Sequence, residues 1–145
     1  MIRRATTADI PAMAALEAVF PTDRMSRRNF QDLLRRGQGS VLVYADGAAV
    51  LGDAVILYRR NSQTARIYSL VVDLAQRGRG IAQALLAAVE DDARARKCRT
   101  LRLEVRPDNA AALRLYSHLG YTVGQRLEQF YEDGSPALRL CKALF

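Results

Sequence analysis

The spacing of apolar residues changes period several times along this chain, and each change marks an element. Ile2 to Ala5 forms a short first strand, and Thr7-Ala8-Asp9 offers the N-cap of a helix through Ala12, Met13, Leu16, Val19 and Phe20, which Pro21 ends. Ser26 caps a second helix in which Phe30, Leu33 and Leu34 recur at helical intervals, before Gly37 and Gly39 terminate it. Val41 to Tyr44, the turn Asp46-Gly47 and Ala49 to Leu57 read as a hairpin, because Asp-Gly accepts the positive φ of a tight turn. Asn61-Ser62 leads into a strand from Ile67 to Asp73. A turn with two glycines and two arginines follows, and then an amphipathic helix that starts with Gln83 to Val89 and ends near Lys97.

Thr100 to Arg106 alternates cleanly: Leu101, Leu103 and Val105 face one way, Arg102, Glu104 and Arg106 the other. Pro107-Asp108-Asn109 starts a further helix with Ala112, Leu115, Tyr116 and Leu119 on one side, closed by Gly120. Strands from Tyr121 to Tyr131 and from Ala137 to Leu144 complete the chain, separated by Asp133-Gly134-Ser135-Pro136. The order β-α-α-β-β-β-α-β-α-β-β predicts an α+β fold, with one mixed, mostly antiparallel sheet and one βαβ crossover.

Composition narrows this picture. A chain of 145 residues is the size of one ordinary domain, expected over residues 1–145 with one core and no linker. No apolar run approaches the roughly 18 residues of a membrane span, and Met1-Ile2-Arg3-Arg4 lacks the apolar h-region expected of a signal peptide. The expected location is cytoplasmic, with no membrane partner. The net charge is +7 and all but two of the basic residues, Lys97 and Lys142, are arginines. Genome composition accounts for that excess as readily as function does, yet a basic surface admits nucleic acid, ribosomal surfaces and phosphorylated cofactors as partners. Cys98 and Cys141 have no CxxC spacing and no histidine cluster, so neither a metal site nor a redox pair is expected.

The segment Arg77 to Ala82 adds chemistry. A strand that feeds a glycine loop and then a helix N-terminus gathers free N–H groups and the positive end of a helix dipole, a site for phosphate. Gly78 and Gly80 alone also suit an ordinary tight turn. A dinucleotide fold would need G-x-G-x-x-G in its first βα turn, and a P-loop would need Gly-Lys-Ser/Thr; the chain has neither. What remains is a pyrophosphate cradle of amides from Arg77 to Ala82, flanked by arginine side chains.

These residues resemble a known family. Arg77-Gly78-Arg79-Gly80-Ile81-Ala82, preceded by Leu70-Val71-Val72-Asp73, is similar to the R/Q-x-x-G-x-G/A signature of the GNAT acetyltransferase superfamily. The stretch from Leu103-Glu104-Val105-Arg106 through Asn109-Ala110-Ala111-Ala112 and Leu115-Tyr116 to Leu119-Gly120-Tyr121 resembles a segment of its RimI-like branch. That branch contains the ribosomal-protein-alanine N-acetyltransferases. Tyr131-Glu132-Asp133-Gly134 and the N-terminal helix pair with Phe20-Pro21 extend the likeness over most of the chain. The resemblance implies the GNAT fold, a sheet of six to seven strands flanked by about four helices.

It also implies acetyl-CoA as cosubstrate and no metal. The pyrophosphate would lie on the amides of Arg77, Gly78, Arg79, Gly80, Ile81 and Ala82, and the pantetheine arm along Leu70 and Val72, as strand addition by a cofactor. Asn109 matches an asparagine that contacts this arm; a plain N-cap is the alternative, and Asp108 could cap instead. Glu104 matches a general base that acts through water, against the reading of an ion-paired strand carboxylate. Tyr116 matches the acid that protonates the departing thiolate, against the reading of a core aromatic. A backbone N–H near Val72 could polarise the thioester carbonyl. Neither cysteine has a histidine partner that would make it a nucleophile, and His118 reads as a surface or packing residue.

Phe30 and Tyr131 are candidates for the acceptor groove, and Arg24, Arg27 and Arg28 for meeting an acidic partner or simply facing solvent. The expected acceptor is a protein or peptide N-terminus, a ribosomal protein among them. About a tenth of an α-amine of pKa near 8 is already neutral at pH 7, against less than about one part in a thousand of a lysine amine. Small amines (polyamines, amino acids, aminoglycosides) and lysine side chains stay open as acceptors. A basic RNA- or ribosome-binding module is the reading outside enzymes, although no aromatic-rich RNA motif accompanies the arginines.

Overall fold

The computed structural model describes residues 1–19 and 25–145, so the expected helix stop at Phe20-Pro21 and the side chain of Arg24 lie outside the described residues. Among those described, the chain runs β1 (Ile2–Arg4), a 3-10 turn (Thr7–Asp9), α1 (Ile10–Ala18), α2 (Arg27–Arg36), β2 (Gly39–Asp46), β3 (Ala49–Leu57) and β4 (Thr64–Val72). It continues with a 3-10 turn (Leu74–Gln76), α3 (Ile81–Ala95), β5 (Thr100–Val105), α4 (Ala110–His118), β6 (Thr122–Leu127) and β7 (Ala137–Ala143). The strands form one seven-stranded sheet in the order β1-β2-β3-β4-β5-β7-β6. Its pairings are antiparallel except β4 with β5, across the α3 crossover. This is the α+β arrangement the periodicity predicts. None of the described helices is long and apolar enough to cross a membrane.

Local chemistry explains most boundaries. Ser26 Oγ accepts from the Asn29 N–H at 3.1 Å, and Asn29 Oδ1 accepts from the Ser26 N–H at 3.0 Å, a reciprocal cap that starts α2. Gly37 ends that helix at φ 69°. Gly39 does not terminate it. It opens β2, where a Cβ would stand 2.4 Å from the Ile56 carbonyl oxygen, so only glycine allows the strands to close there. β4 begins at Thr64, three residues before the expected start at Ile67. β6 stops at Leu127 rather than running to Tyr131, and Gln129 turns the chain at φ 51°.

The sheet buries both faces. Leu85, Leu86 and Val89 of α3 pack on Ala54, Ile67, Leu101 and Leu103. On the opposite face Ile10 and Met13 of α1 and Phe30 of α2 pack on Val41, Val43 and Val55. Two irregularities prepare the site between these layers. The register of β3 with β4 passes from Val55↔Ser69 to Ile56↔Ile67, which leaves Tyr68 as a bulge. The parallel ladder from β4 to β5 runs from Thr64↔Thr100 only to Arg66↔Arg102. Beyond Arg66 the two strands part, and a cleft opens between them.

Candidate active site

The cleft encloses about 420 Å³, with β4 as one wall, β5 and α4 as the other, and the end of α1 closing one side. The Asp73 N–H donates to the Leu51 carbonyl at 2.8 Å. Alternation along an antiparallel ladder therefore turns the backbone groups of Leu70 and Val72 away from β3, toward the gap. An extended chain bearing amides finds unpaired partners along that edge.

Immediately beyond β4 lies the glycine loop. Asp73 Oδ1 accepts from the Ala75 N–H at 3.0 Å and holds the first turn. Arg79 then donates to Gln76 Oε1, and Gly78 and Gly80 take φ 83° and 74°. No atom lies within 4 Å of a Cβ built on either glycine. Their role is conformational, and the space above them is open. Gly80 is the N-cap of α3 and offers no side chain to its amides. The first intrahelical bond runs from the Ala84 N–H to the Gly80 carbonyl at 3.0 Å, so the N–H groups of Ile81 and Ala82 lack intrahelical acceptors. Together with the guanidinium groups of Arg77 and Arg79, this geometry fits a pyrophosphate.

Glu104 reaches the cleft wall, with its side chain only 3% exposed. Arg66 Nε donates to Oε1 at 2.6 Å, and Arg139 Nε donates to Oε2 at 2.9 Å. The ion-paired strand carboxylate is therefore present, with two cations instead of one. Asn109 caps α4, its Oδ1 accepting from the Ala112 N–H at 3.2 Å, and it also lines the cleft; Asp108 is not the cap. Tyr116 lines the same cleft, and its ring packs edge-on against Tyr121 with centroids 5.5 Å apart. Burial pushes the Tyr116 phenol well above the ordinary tyrosine range. Leu70 and Tyr131 also border the cleft, and Arg106 stacks over the Tyr131 ring at 4.1 Å. Cys98 and Cys141 are free thiols outside the cleft, and burial raises the Cys98 pKa.

Phe30 departs from expectation. It is fully buried between α1 and the sheet and borders no part of the cleft, because its helical register points it into the core with Met13 and Val43. The nearby aromatic that does line the cleft is Phe130, packed edge-on against Tyr131 at 5.0 Å.

Two carboxylates escaped the sequence reading. Glu17, in α1, borders the cleft at 1% exposure, and Asp53, in β3, is fully buried. A signal for each existed. Ile10, Met13 and Glu17 share the buried stripe of α1, and Asp53 interrupts an apolar strand before Ala54-Val55-Ile56. Burial raises the Glu17 pKa against the opposing hydrogen bonds from Ser69 and Met25. Burial and then the nearby Glu17 charge raise Asp53 well above the carboxylate range. Folded protein therefore holds the Asp53 proton more tightly than unfolded chain does. The stability this confers is complete below about pH 4 and is lost as pH rises through the folded-state value. Asp53→Leu, which removes both unpartnered oxygens at similar volume, is expected to raise Tm at pH 8 by about 3–6 °C, from about 1–2 kcal/mol, and by less at pH 4. Thermal melts at the two pH values check this.

A family profile described as Acetyltransferase (GNAT) family matches residues 9–121. The chain is 37% identical over 106 residues to the N-alpha-acetyltransferase MAK3 of Arabidopsis thaliana, covering 72% of this chain and 55% of that protein. It spans about half or less of the length of the curated relatives it matches. Among solved structures, the ribosomal-protein-alanine N-acetyltransferase of Brucella melitensis superposes with a TM-score of 0.85 at 28% identity, with 99% of each chain covered. A putative acetyltransferase of Salmonella typhimurium, solved with its cofactor acetyl-CoA, superposes with a TM-score of 0.86 at 24% identity, covering all of this chain and 94% of that one.

Proposed function

The chain belongs to the GNAT acetyltransferase family, and from that premise we propose that it transfers an acetyl group from acetyl-CoA to a primary amine, in particular the N-terminal α-amine of a protein or peptide. The observation that carries this reading is the convergence on one cleft of an open β4 edge, an amide cradle at its end, a carboxylate and a buried phenol. Acetyl-CoA supplies an activated thioester. The amides from Arg77 to Ala82 hold its pyrophosphate, and the backbone of Leu70 and Val72 takes the amides of its arm. The Val72 N–H, turned away from β3, would polarise the thioester carbonyl. Asn109, already the cap of α4, uses its remaining donors on the cofactor arm.

Glu104 acts as base through an intervening water, and Tyr116 as the acid that meets the departing thiolate. Both Glu104 oxygens already bind guanidinium groups, which fix the carboxylate in the cleft wall so that it meets the amine through water. About a tenth of an α-amine is already neutral at pH 7, so it needs less help from a base than a lysine amine does. The names of the Arabidopsis and Brucella relatives favour the same acceptor class, and a ribosomal protein is the first substrate to try. Tyr131, stacked with Arg106 at the cleft mouth, borders the acceptor.

The test is a screen of kcat/KM with peptides bearing free N-termini, Nα-blocked lysine peptides, polyamines, amino acids and aminoglycosides. The expected result is that free N-termini lead by at least tenfold. Small amines or lysine peptides ahead by orders of magnitude would replace the acceptor. Release of no CoA thiol with any amine, together with tight salt-dependent RNA binding, would replace the activity with the basic binding module.

A further inference from the structure

Apart from Glu104, the acids buried among the described residues include Asp9, Glu17, Asp53 and Glu90. Asp9 is held by Arg3 at 2.7 Å, and Glu90 by Lys142 at 3.0 Å and the Tyr121 hydroxyl at 2.9 Å. Glu17 and Asp53 differ. Neither makes an ion pair among the described residues, and neither Asp53 oxygen has any hydrogen-bond partner there. They face the same side of the sheet. Asp53 pairs with Val71, two residues along β4 from Ser69, and Ser69 donates its hydroxyl to Glu17 Oε1 at 2.6 Å. The Met25 N–H donates to Glu17 Oε2 at 3.1 Å.

These contacts fix the carboxylate without neutralising it. Each carboxylate oxygen has two lone-pair sites, so one neutral donor on each leaves capacity on both. Glu104 offers no equivalent, since two guanidinium groups already balance its charge. Burying acids without a cation is costly, and a group retained at that cost is a candidate for one that its ligand completes. Glu17 is the member of the pair that borders the cleft.

We propose that Glu17, backed by Asp53 and oriented by Ser69, is the subsite that receives the ammonium head of the acceptor. This rests on the amine-acetylation reading and adds where the amine docks. The ammonium supplies the positive charge that the acidic pair lacks among the described residues and donates to the open lone pairs of Glu17. The amine is thereby held on the α1 side of the cleft before its proton passes through water to Glu104. An uncharged head of the same size leaves the pair without a cation and binds less well.

The experiment compares a peptide acceptor with its analogue carrying a hydroxyl in place of the α-amine, by calorimetry with the wild-type chain and with Glu17→Gln. The wild-type chain is expected to bind the amine peptide at least tenfold more tightly, and Glu17→Gln to erase that preference. In kinetics Glu17→Gln is expected to raise the acceptor KM about tenfold, with kcat lowered less than threefold and the acetyl-CoA KM within twofold. Ser69→Ala, which frees one oxygen of Glu17, is expected to raise the acceptor KM severalfold, so a Glu17 variant that fails to fold does not remove the test. Equal wild-type binding of the two peptides overturns the subsite even where acetylation proceeds. A Glu17→Gln loss shared equally by both substrates makes Glu17 a strut between α1 and β4 and also overturns it. A wild-type chain that acetylates no amine overturns the underlying reading instead.

Discussion

Tyr116→Phe is expected to lower kcat by about a hundredfold, the lower end of what a positioned general acid contributes, while acetyl-CoA affinity stays within twofold. The substitution isolates one hydroxyl. The ring is 7% exposed and packs edge-on against Tyr121, contacts that phenylalanine preserves, so loss of fold does not mimic loss of acid. Burial raises the Tyr116 pKa, and the sign of that shift keeps the phenol protonated, and so a donor, to higher pH than an exposed tyrosine. The wild-type rate is therefore expected to show no alkaline decline from this group below about pH 10, the ordinary tyrosine value. Single-turnover rates of wild type and variant across pH 6 to 10 measure both effects. An unchanged rate in the variant removes Tyr116 from the acid role.

Replacing Gly78 and Gly80 together by alanine is expected to raise the acetyl-CoA Kd about 30-fold to 1000-fold. Both residues take left-handed φ values, and a residue with a Cβ pays about 1–2 kcal/mol to stay in that region. Two such residues add about 2–4 kcal/mol that the ligand must supply to keep the cradle formed, at about 1.4 kcal/mol per tenfold in Kd. Tm is expected to fall little, because no neighbour lies within 4 Å of either new Cβ and the free loop can relax. Calorimetric titration with acetyl-CoA checks the affinity. A Kd within threefold of wild type would show that the left-handed loop is not what binds the cofactor.

The two substitutions probe parts of the proposed site whose structure was legible to different degrees. The conformation of the glycine loop was almost wholly legible because it is local. A strand, two glycines, two arginines and a helix start are contiguous, and the φ values follow from residues that tolerate them. Asn109 and Tyr116 were legible for a similar reason, since a cap and a helix face are fixed within a few residues. The Glu104 environment was not. The alternation of Leu101, Leu103 and Val105 identified its face, but its partners Arg66 and Arg139 lie 38 and 35 residues away. Phe30 lies in the core and not in the acceptor groove, a difference the chain does not encode locally, because an aromatic at helical spacing has the same sequence signature whether it faces a groove or a core. Only the packing of α2 against Val41 and Val43 separates the two.

Glu17 shows the limit most clearly. Its place on the apolar stripe of α1 was visible, but its hydrogen bond to Ser69 spans 52 residues, and Ser69 turns toward it only because Tyr68 is bulged out of register. Chain order was enough for the helices, the strand alternation, the α+β order and the conformation of the glycine loop, since each depends on interactions within a turn or a pleat. The tertiary structure alone decided which charges meet. Strand register and the parting of β4 from β5 after Arg66 give Glu104 two cations and leave Glu17 and Asp53 without one among the described residues. The electrostatics of a buried group depend on the distance and desolvation of its partners, and chain order alone does not encode them.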